Sequence, residues 1–523
     1  MLQATNVKDK VVRFRAVQII TQIINSVQHI DEDLYNLIRL ELSRRLRDKE
    51  ASVRQQAVLG FGSLAEGEEE DDDDDSDDES PSSSLEKQLH ILRNDPSGEV
   101  RRAVLMNLTF SPISLKPMLE RARDNDPLTR RALYRQLLPV LGDFRFLSVI
   151  EREKLIRWGL RDRDEAVRKA TARLFSVRWL ETCASSAGEV PSEEKEPDEV
   201  SPPSIEALSQ LLERIDVTTS GLEGGMAHEA MAAVWEQRPD YREFVTFNDD
   251  YWNELTAETA FIARSFNDYC IATGDDQLLE QKIPEGKKLA ITIKKYLDHL
   301  IRAREEIAKL DNLTEEQEGE YEDLEFIVQQ LLRIALTLDY SDEIGRRNLF
   351  NIMREALALP ELPEECTSLA AQLLRRVCQG SGEKEFISVM KEAMDQVKIS
   401  FSDEKDGDDE DEESDEDSFH SAESDIEELS GDDAHASGKK KNRRRGAEEE
   451  EGNEHKELLV YAKCMHLAEC LLQNVDCELE SSTPLVDLLN RLIIPAFKVN
   501  HNVIQEMGFR GLGLAILRSR VSN

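Results

Sequence analysis

Five copies of one short pattern occupy the first third of this chain, and they leave few folds open. An aspartate is followed, after four intervening residues, by Val or Thr, then by arginine, then by alanine two or three positions on. The copies read Asp48-KEAS-Val53-Arg54-QQ-Ala57, Asp95-PSGE-Val100-Arg101-Arg102-Ala103, Asp124-NDPL-Thr129-Arg130-Arg131-Ala132 and Asp162-RDEA-Val167-Arg168-Lys169-Ala170. A variant, Asp9-KV-Val12-Arg13-FR-Ala16, opens the chain. The arginines are spaced by 41, 47, 29 and 38 residues, the period of stacked helical repeats. The aspartate is read as lying where one helix ends and the next begins, accepting from free N–H groups of the new helix. Pro96 and Pro127 fall in the same turn, where a helix start tolerates proline. Val and Ala then face inward, small enough for close helix contact. A lone helix pair cannot bury its apolar side, so neighbouring pairs supply the core.

The expected fold class is therefore all-α: a HEAT-repeat, armadillo-like solenoid interrupted by acidic loops. Beyond residue 205 the arginine signature fades but helical periodicity continues, for example over 208–215, 227–235, 289–310, 345–359 and 503–517. Three segments lack the apolar content to fold alone. The expected organisation is repeats over 1–65, an acidic loop at 66–84 and basic repeats at 85–183. A linker follows at 184–204, then helical repeats at 205–398, a second acidic loop at 399–455 with the basic island 439–445, and final repeats at 456–523. The array reads as part of a longer one, opening inside a repeat and stopping without a polar capping pair.

Charge follows this division. The formal net charge is −41, but the three segments carry about −12, −5 and −16 of it, and the remainder of the first 183 residues comes to about +10. The acidic total thus conceals a basic N-terminal third, and a nucleic-acid partner stays open. No apolar run approaches the ~18 residues that would span a bilayer, so no membrane partner is expected. The seven cysteines form no CxxC pair, and reduced thiols are expected.

Several runs resemble the G-type HEAT subunit of condensin. They include DPSGEVRRAVLMNL (95–108), RDNDPLTRRALY (123–134), LGDFR (141–145), LIRWGLRDRDEAVRKA (155–170), LTAETAFIARSFNDYC (255–270) and LIIPAFKVN (492–500). The resemblance covers nearly all of the non-acidic sequence. It implies a non-catalytic scaffold without a cofactor, located in the nucleus and on chromosomes and in part of the cell cycle in the cytoplasm. The implied partners are the kleisin subunit, the SMC subunits indirectly through the kleisin, and double-stranded DNA held without sequence preference, all serving mitotic chromosome condensation. The alternative from another class is a protein-only HEAT scaffold, such as a nuclear transport receptor or a phosphatase regulatory subunit. A transport receptor is expected to carry an acidic concave surface, the opposite sign to these N-terminal repeats.

For DNA the candidate residues are Arg102, Arg131 and Lys169, the second cations of their doublets, with Arg161 and Arg163. Arg130 and Arg168 are included, but the first arginine of each signature (54, 101, 130, 168) has a competing structural reading as partner of an aspartate in a neighbouring repeat, and that reading is preferred. With no aromatic stacking residues among them, such cations suit phosphate contact. The island 439–445 suits a nuclear import signal, with solvated filler as the bland alternative. Ser76, Ser414 and Ser424 have an acidic residue three positions on, and Ser80 and Ser201 precede proline; phosphate there would add further negative charge. Cys464, His466, Cys470 and Cys477 fall on several helix faces, so packing is preferred to zinc binding. Gly508, Gly511 and Gly513 follow no strand and suit close helix packing. Nothing in the sequence points to an enzyme.

Overall fold

A computed structural model of the chain describes residues 1–27, 30–65, 81–142, 144–186, 200–310, 314–378, 382–402 and 440–519. Among them, every regular element is helical. The chain forms two compact units, one of residues 1–246 and 261–274, the other of 247–260 and 275–523.

In the first unit the signature segments become one helix of each repeat, and these helices stack in series. Lys10–Ser26 packs on Ala51–Ala65, which packs on Gly98–Asn107, and the series continues through Pro127–Ala132 and Glu165–Arg173 to Met226–Gln237. Glu32–Arg45, Pro81–Asn94 and Val149–Leu160 lie against Ala51–Ala65, Gly98–Asn107 and Glu165–Arg173, while Pro112–Leu119 packs on Pro81–Asn94 and Ile205–Glu213 on Leu180–Ser186. The periodicity explains the burial. Val53, Ala57, Phe61 and Leu64 are buried in one copy, and Val100, Thr129 and Val167 are fully buried in the others. Ala170 is an exception. It is half-exposed, and Thr171 takes the buried position one residue later.

Thr171 has a consequence for the outer helix. A Cβ on Gly159 would lie 2.2 Å from Thr171 Oγ1 and 2.8 Å from its Cβ. Gly159→Ala is expected to lower stability by about 1–3 kcal/mol, although alanine favours a helix by about 1 kcal/mol. Gly513, with nothing within 4 Å of its own Cβ position, shows only the propensity, so Gly513→Ala is expected to be neutral or stabilising. Parallel thermal melts of the two variants check this; equal shifts would contradict the packing argument.

The second unit stacks longer helices. Gly286–Ala308 packs on Glu315–Ala335 and Glu343–Leu357, Glu315–Ala335 on Glu364–Val377, Glu364–Val377 on Lys440–Asn474, and Lys440–Asn474 on Asn502–Arg518. Its core is aliphatic, with Val328, Leu331, Leu332, Leu373 and Leu374 fully buried. Surface pairs such as Lys294–Glu355 (2.9 Å) and Arg333–Glu365 (2.7 Å) join neighbouring helices.

Two segment boundaries differ from the sequence expectation. The loop placed at 66–84 ends earlier, because a helix begins at Pro81, proline being at home in a first turn. The loop placed at 399–455 is flanked by helices that run to Ser402 and restart at Lys440. Ser76, Ser80, Ser414, Ser424 and Lys439 lie outside the described residues, and so does most of the expected linker 184–204, though Ser201 is described and buried.

Candidate nucleic-acid interface

The arginine and aspartate of the pattern build a ladder through the first unit. Arg13 donates from Nε and Nη2 to both carboxylate oxygens of Asp48 (2.8 and 3.0 Å). Arg54 does the same to Asp95 (2.7 and 2.9 Å), Arg101 to Asp124 (2.8 and 2.5 Å) and Arg130 to Asp162 (2.7 and 2.9 Å). The remaining Nη1 turns back to the carbonyl six residues upstream: Asp48, Asp95, Asp124 and, for Arg168, Asp162. Arg54, Arg101 and Arg130 thus each clamp their own turn and the carboxylate of the next repeat.

The aspartates have a second task. Asp48 accepts from the N–H of Glu50, Asp95 from Ser97, Asp124 from Asp126 and Asp162 from Asp164. They close the turn two residues before the helix, while Asp126 and Asp164 cap the helices themselves, accepting from Thr129 N and from Ala166 N and Val167 N. This refines the sequence reading, which gave both tasks to one residue. Asp9 corresponds to the caps, accepting from Val11 N. The ladder position six residues before Arg13 is Val7, whose carbonyl accepts from Arg13.

Burial alone would raise the Asp124 pKa. The hydrogen bonds from Arg101 and the Asp126 N–H, with the charges of Arg101 and Arg121, outweigh it and hold the carboxyl below its usual range. Asp48 and Asp162 show the same balance, with Arg13 and Arg130 as partners.

The seven candidate cations separate by what already holds them. Arg130 is fully committed to the ladder, as the structural reading expects. Arg168 has no carboxylate partner among the described residues; only its Nη1 is held, by the carbonyls of Asp162 and Arg163. Arg102 pairs with Asp126 across repeats at 3.0 Å. Arg161 is clipped to Glu229 (2.8 Å) and to the Gly224 carbonyl (2.9 Å). Lys169 pairs with Glu165 at 2.6 Å, but both are largely exposed, and solvent screens such a pair so that it holds the lysine only weakly. Arg131, half-buried, and Arg163, exposed, have no partner among the described residues.

The ladder also aligns the turns that carry it, which brings forward Arg47, Lys49 and Arg123, not chosen as sites from the sequence, beside Arg161 and Arg163, which were. Flanking the ladder aspartates are Arg47 and Lys49, Arg123, and Arg161 and Arg163, all exposed. Arg123 lies over the Trp158 ring at 5.3 Å; Arg47 and Lys49 are unpaired among the described residues. The signal that finds them is adjacency to the ladder aspartate: the ladder pins that residue, so its neighbours project from the same edge of every repeat. Three of the four ladder turns carry such cations, Asp95 standing between Asn94 and Pro96, and of these cations Arg161 already meets a carboxylate, Glu229.

In the second unit, Cys464 and Cys470 are buried, and burial pushes both thiols up to about 11. Cys470 Sγ lies 3.5 Å from His466 Nε2, which itself contacts the Glu364 carbonyl at 2.9 Å. Cys477 is half-exposed elsewhere. The described residues contain no metal-holding group, and none of their helices is long and apolar enough to cross a membrane.

Beside this cluster Lys463 donates to the Leu362 carbonyl (2.6 Å) and Thr367 Oγ1 (2.7 Å). Burial lowers its pKa to about 8, with the thiols of Cys470 and Cys366 acting in the opposite direction. The unfolded lysine, near 10.4, binds more protons over this interval, so the destabilising effect of the buried charge fades as pH rises from about 8 to about 10. The stability of wild type relative to Lys463→Met is expected to rise by about 1–2 kcal/mol between pH 7.5 and 9.5. Denaturant unfolding of both proteins at the two pH values tests this; a pH-independent difference would contradict it.

Comparison with known proteins accords with this architecture. Residues 463–522 match the family model described as "Nuclear condensing complex subunits, C-term domain". Condensin complex subunit 3 of Schizosaccharomyces pombe is 32% identical over 99% of this chain and 53% of its own length. Its namesake from Saccharomyces cerevisiae is 29% identical over 99% of this chain and 49% of its own length. The crystal structure of the S. pombe condensin Cnd3–Cnd2 subcomplex contains a chain that superposes with a TM-score of 0.73 at 30% identity, covering 99% of this chain and 54% of that one. The chain is thus a homologue of the condensin complex subunit 3 family, spanning about half the length of the curated relatives it matches.

Proposed function

We propose that this chain is a non-catalytic HEAT scaffold of condensin that binds a kleisin segment and, through the cation-bearing edge of its first unit, holds duplex DNA without reading its sequence. The SMC subunits then connect through the kleisin, and the setting is mitotic chromosome condensation in the nucleus and on chromosomes. The match along 99% of the chain to a member of the Cnd3–Cnd2 subcomplex carries the kleisin part of this reading. The DNA part is supported by Arg47, Lys49, Arg131 and Arg163, cations with no carboxylate partner among the described residues. They flank or follow turns that the ladder aligns. None of these positions offers an aromatic face or a side-chain amide that would discriminate bases, so phosphate is the group they suit.

Size-exclusion chromatography of the chain with a kleisin segment and a 30-base-pair duplex tests the whole reading. All three components are expected to co-elute, whatever the duplex sequence. Co-elution of kleisin without DNA would limit the scaffold to protein partners, and failure of both would remove the reading.

A further inference from the structure

Helix Gly382–Ser402 places Ile387, Lys391, Met394 and Lys398 along one face, at steps of three or four residues. Leu471, from helix Lys440–Asn474, and Leu488, Arg491 and Leu492, from the segment that follows, stand opposite. They enclose an open cleft of about 130 Å³. Its floor is apolar, since Ile387, Met394, Leu471 and Leu492 are all buried. Its rim is cationic. Lys391 and Arg491 are exposed and have no partner among the described residues, and Lys398 stands 3.8 Å from Asp395. Among the described residues, Asp395 and Asp487 are the carboxylates that line it. The volume is close to the ~150 Å³ of an apolar cavity that takes up benzene, so a single phenyl ring is the group that fits.

A ligand of matching chemistry is tethered beside the cleft. Helix Gly382–Ser402 ends four residues past Lys398, a distance of about 6 Å, and the acidic insert 403–439 begins there. That insert contains one phenyl ring, Phe419, within the run DEDSFHSAESD (415–425). A flexible tether of seventeen residues has a root-mean-square reach of about 23 Å, comparable with the ~22 Å of helix from Ser402 back to Ile387. A tether of that length gives an effective concentration in the millimolar range, so even weak intrinsic affinity fills the site.

We propose that the acidic insert docks in cis on this cleft, with Phe419 entering the apolar floor and the flanking carboxylates meeting Lys391, Lys398 and Arg491. The consequence is an occupied cleft whose occupancy falls when another acidic, aromatic-bearing peptide competes. The inference does not depend on the kleisin and DNA reading.

The test uses the full chain and a variant in which 403–439 is replaced by a Gly/Ser linker of equal length. The probe is a fluorescein-labelled peptide of residues 412–430, followed by anisotropy. Saturable binding to the linker variant is expected, at least about tenfold tighter than to the wild-type chain, whose cleft is already filled. Lys391→Glu/Arg491→Glu in the linker variant, or Phe419→Ala in the peptide, is expected to weaken binding about tenfold or more. No binding to a linker variant with native helicity would overturn the proposal, as would equal binding to both chains or indifference to the substitutions. Should the linker variant fold poorly, hydrogen exchange of the intact chain decides. Phe419→Ala is expected to speed exchange at 387–398 and 484–492, and unchanged exchange would overturn the proposal.

Discussion

Arg101→Ala and Asp124→Ala are each expected to destabilise the first unit by about 3–5 kcal/mol, the largest single-residue effects in the ladder. The pair is almost fully buried, with side-chain exposures of 10% and 1%. Removing either partner leaves the other charged, desolvated and without its bidentate contact. Loss of Asp124 also strips the turn N–H of Asp126 of its acceptor and leaves the guanidinium of Arg121 with only the Leu92 carbonyl. Arg102→Ala, one residue away, is the control. Its contact with Asp126 is a single hydrogen bond between partners about one quarter exposed, so its effect is expected to stay near or below about 1 kcal/mol. Double-mutant cycles by denaturant unfolding separate the two pairs. Equal coupling energies would show that the ladder is no more than surface pairing.

The same geometry fixes an acid limit. Folding lowers the pKa of Asp48, Asp124 and Asp162. Their contribution is therefore complete above the unfolded carboxylate value of about 3.9 and is lost as pH falls through the lower folded values.

Arg131→Asp/Arg163→Asp is the second large expectation. If duplex DNA lies on the cation-bearing edge, this reversal should weaken binding by at least about tenfold and lower the magnitude of the salt slope by about two, one for each phosphate contact removed. It should leave the melting temperature nearly unchanged, because neither side chain has a partner to lose. The comparison with Arg130→Asp is informative for the opposite reason. Arg130 carries the bidentate bond to Asp162, so its reversal is expected to unfold the unit before it reports on DNA. Anisotropy titrations with parallel melts give both readouts, and retained affinity in the double reversal would remove this edge as the DNA site.

Much of the ladder was legible because it is written at constant spacing. An arginine six residues after an aspartate recurs four times, and a solenoid turns constant spacing into neighbouring positions. The pairing itself is the preferred reading of the first arginines, but its register is not legible, because the offset that brings Arg101 to Asp124 rather than to Asp95 is set by how one helix pair lies on the next. The same offset decided the second cations. Arg102 finds Asp126, whereas Arg131, its counterpart one repeat later, finds no carboxylate. Sequence alone treats the two alike. Arg161 is a related case, since its partner Glu229 is 68 residues away. Asp9 caps its helix as the sequence reading expects, and the departure of Asp48, Asp95, Asp124 and Asp162 from that task has a local cause. A cap and a turn-closing aspartate differ by two residues, and both accept from a backbone N–H two positions on. From residue 205 onward helices remained legible by apolar periodicity, but without a ladder nothing in the spacing reported which helices pair.

The central claim, a phosphate-holding HEAT scaffold, is tested most directly by one titration. Two 30-base-pair duplexes of unrelated sequence would be titrated with the wild-type chain and its kleisin segment over a series of salt concentrations. The expected result is the same affinity for both duplexes, with log K falling linearly and steeply against log salt, at a slope of about −0.9 per phosphate contact. A salt-independent affinity, a strong preference for one sequence, or no binding by the folded complex would contradict it.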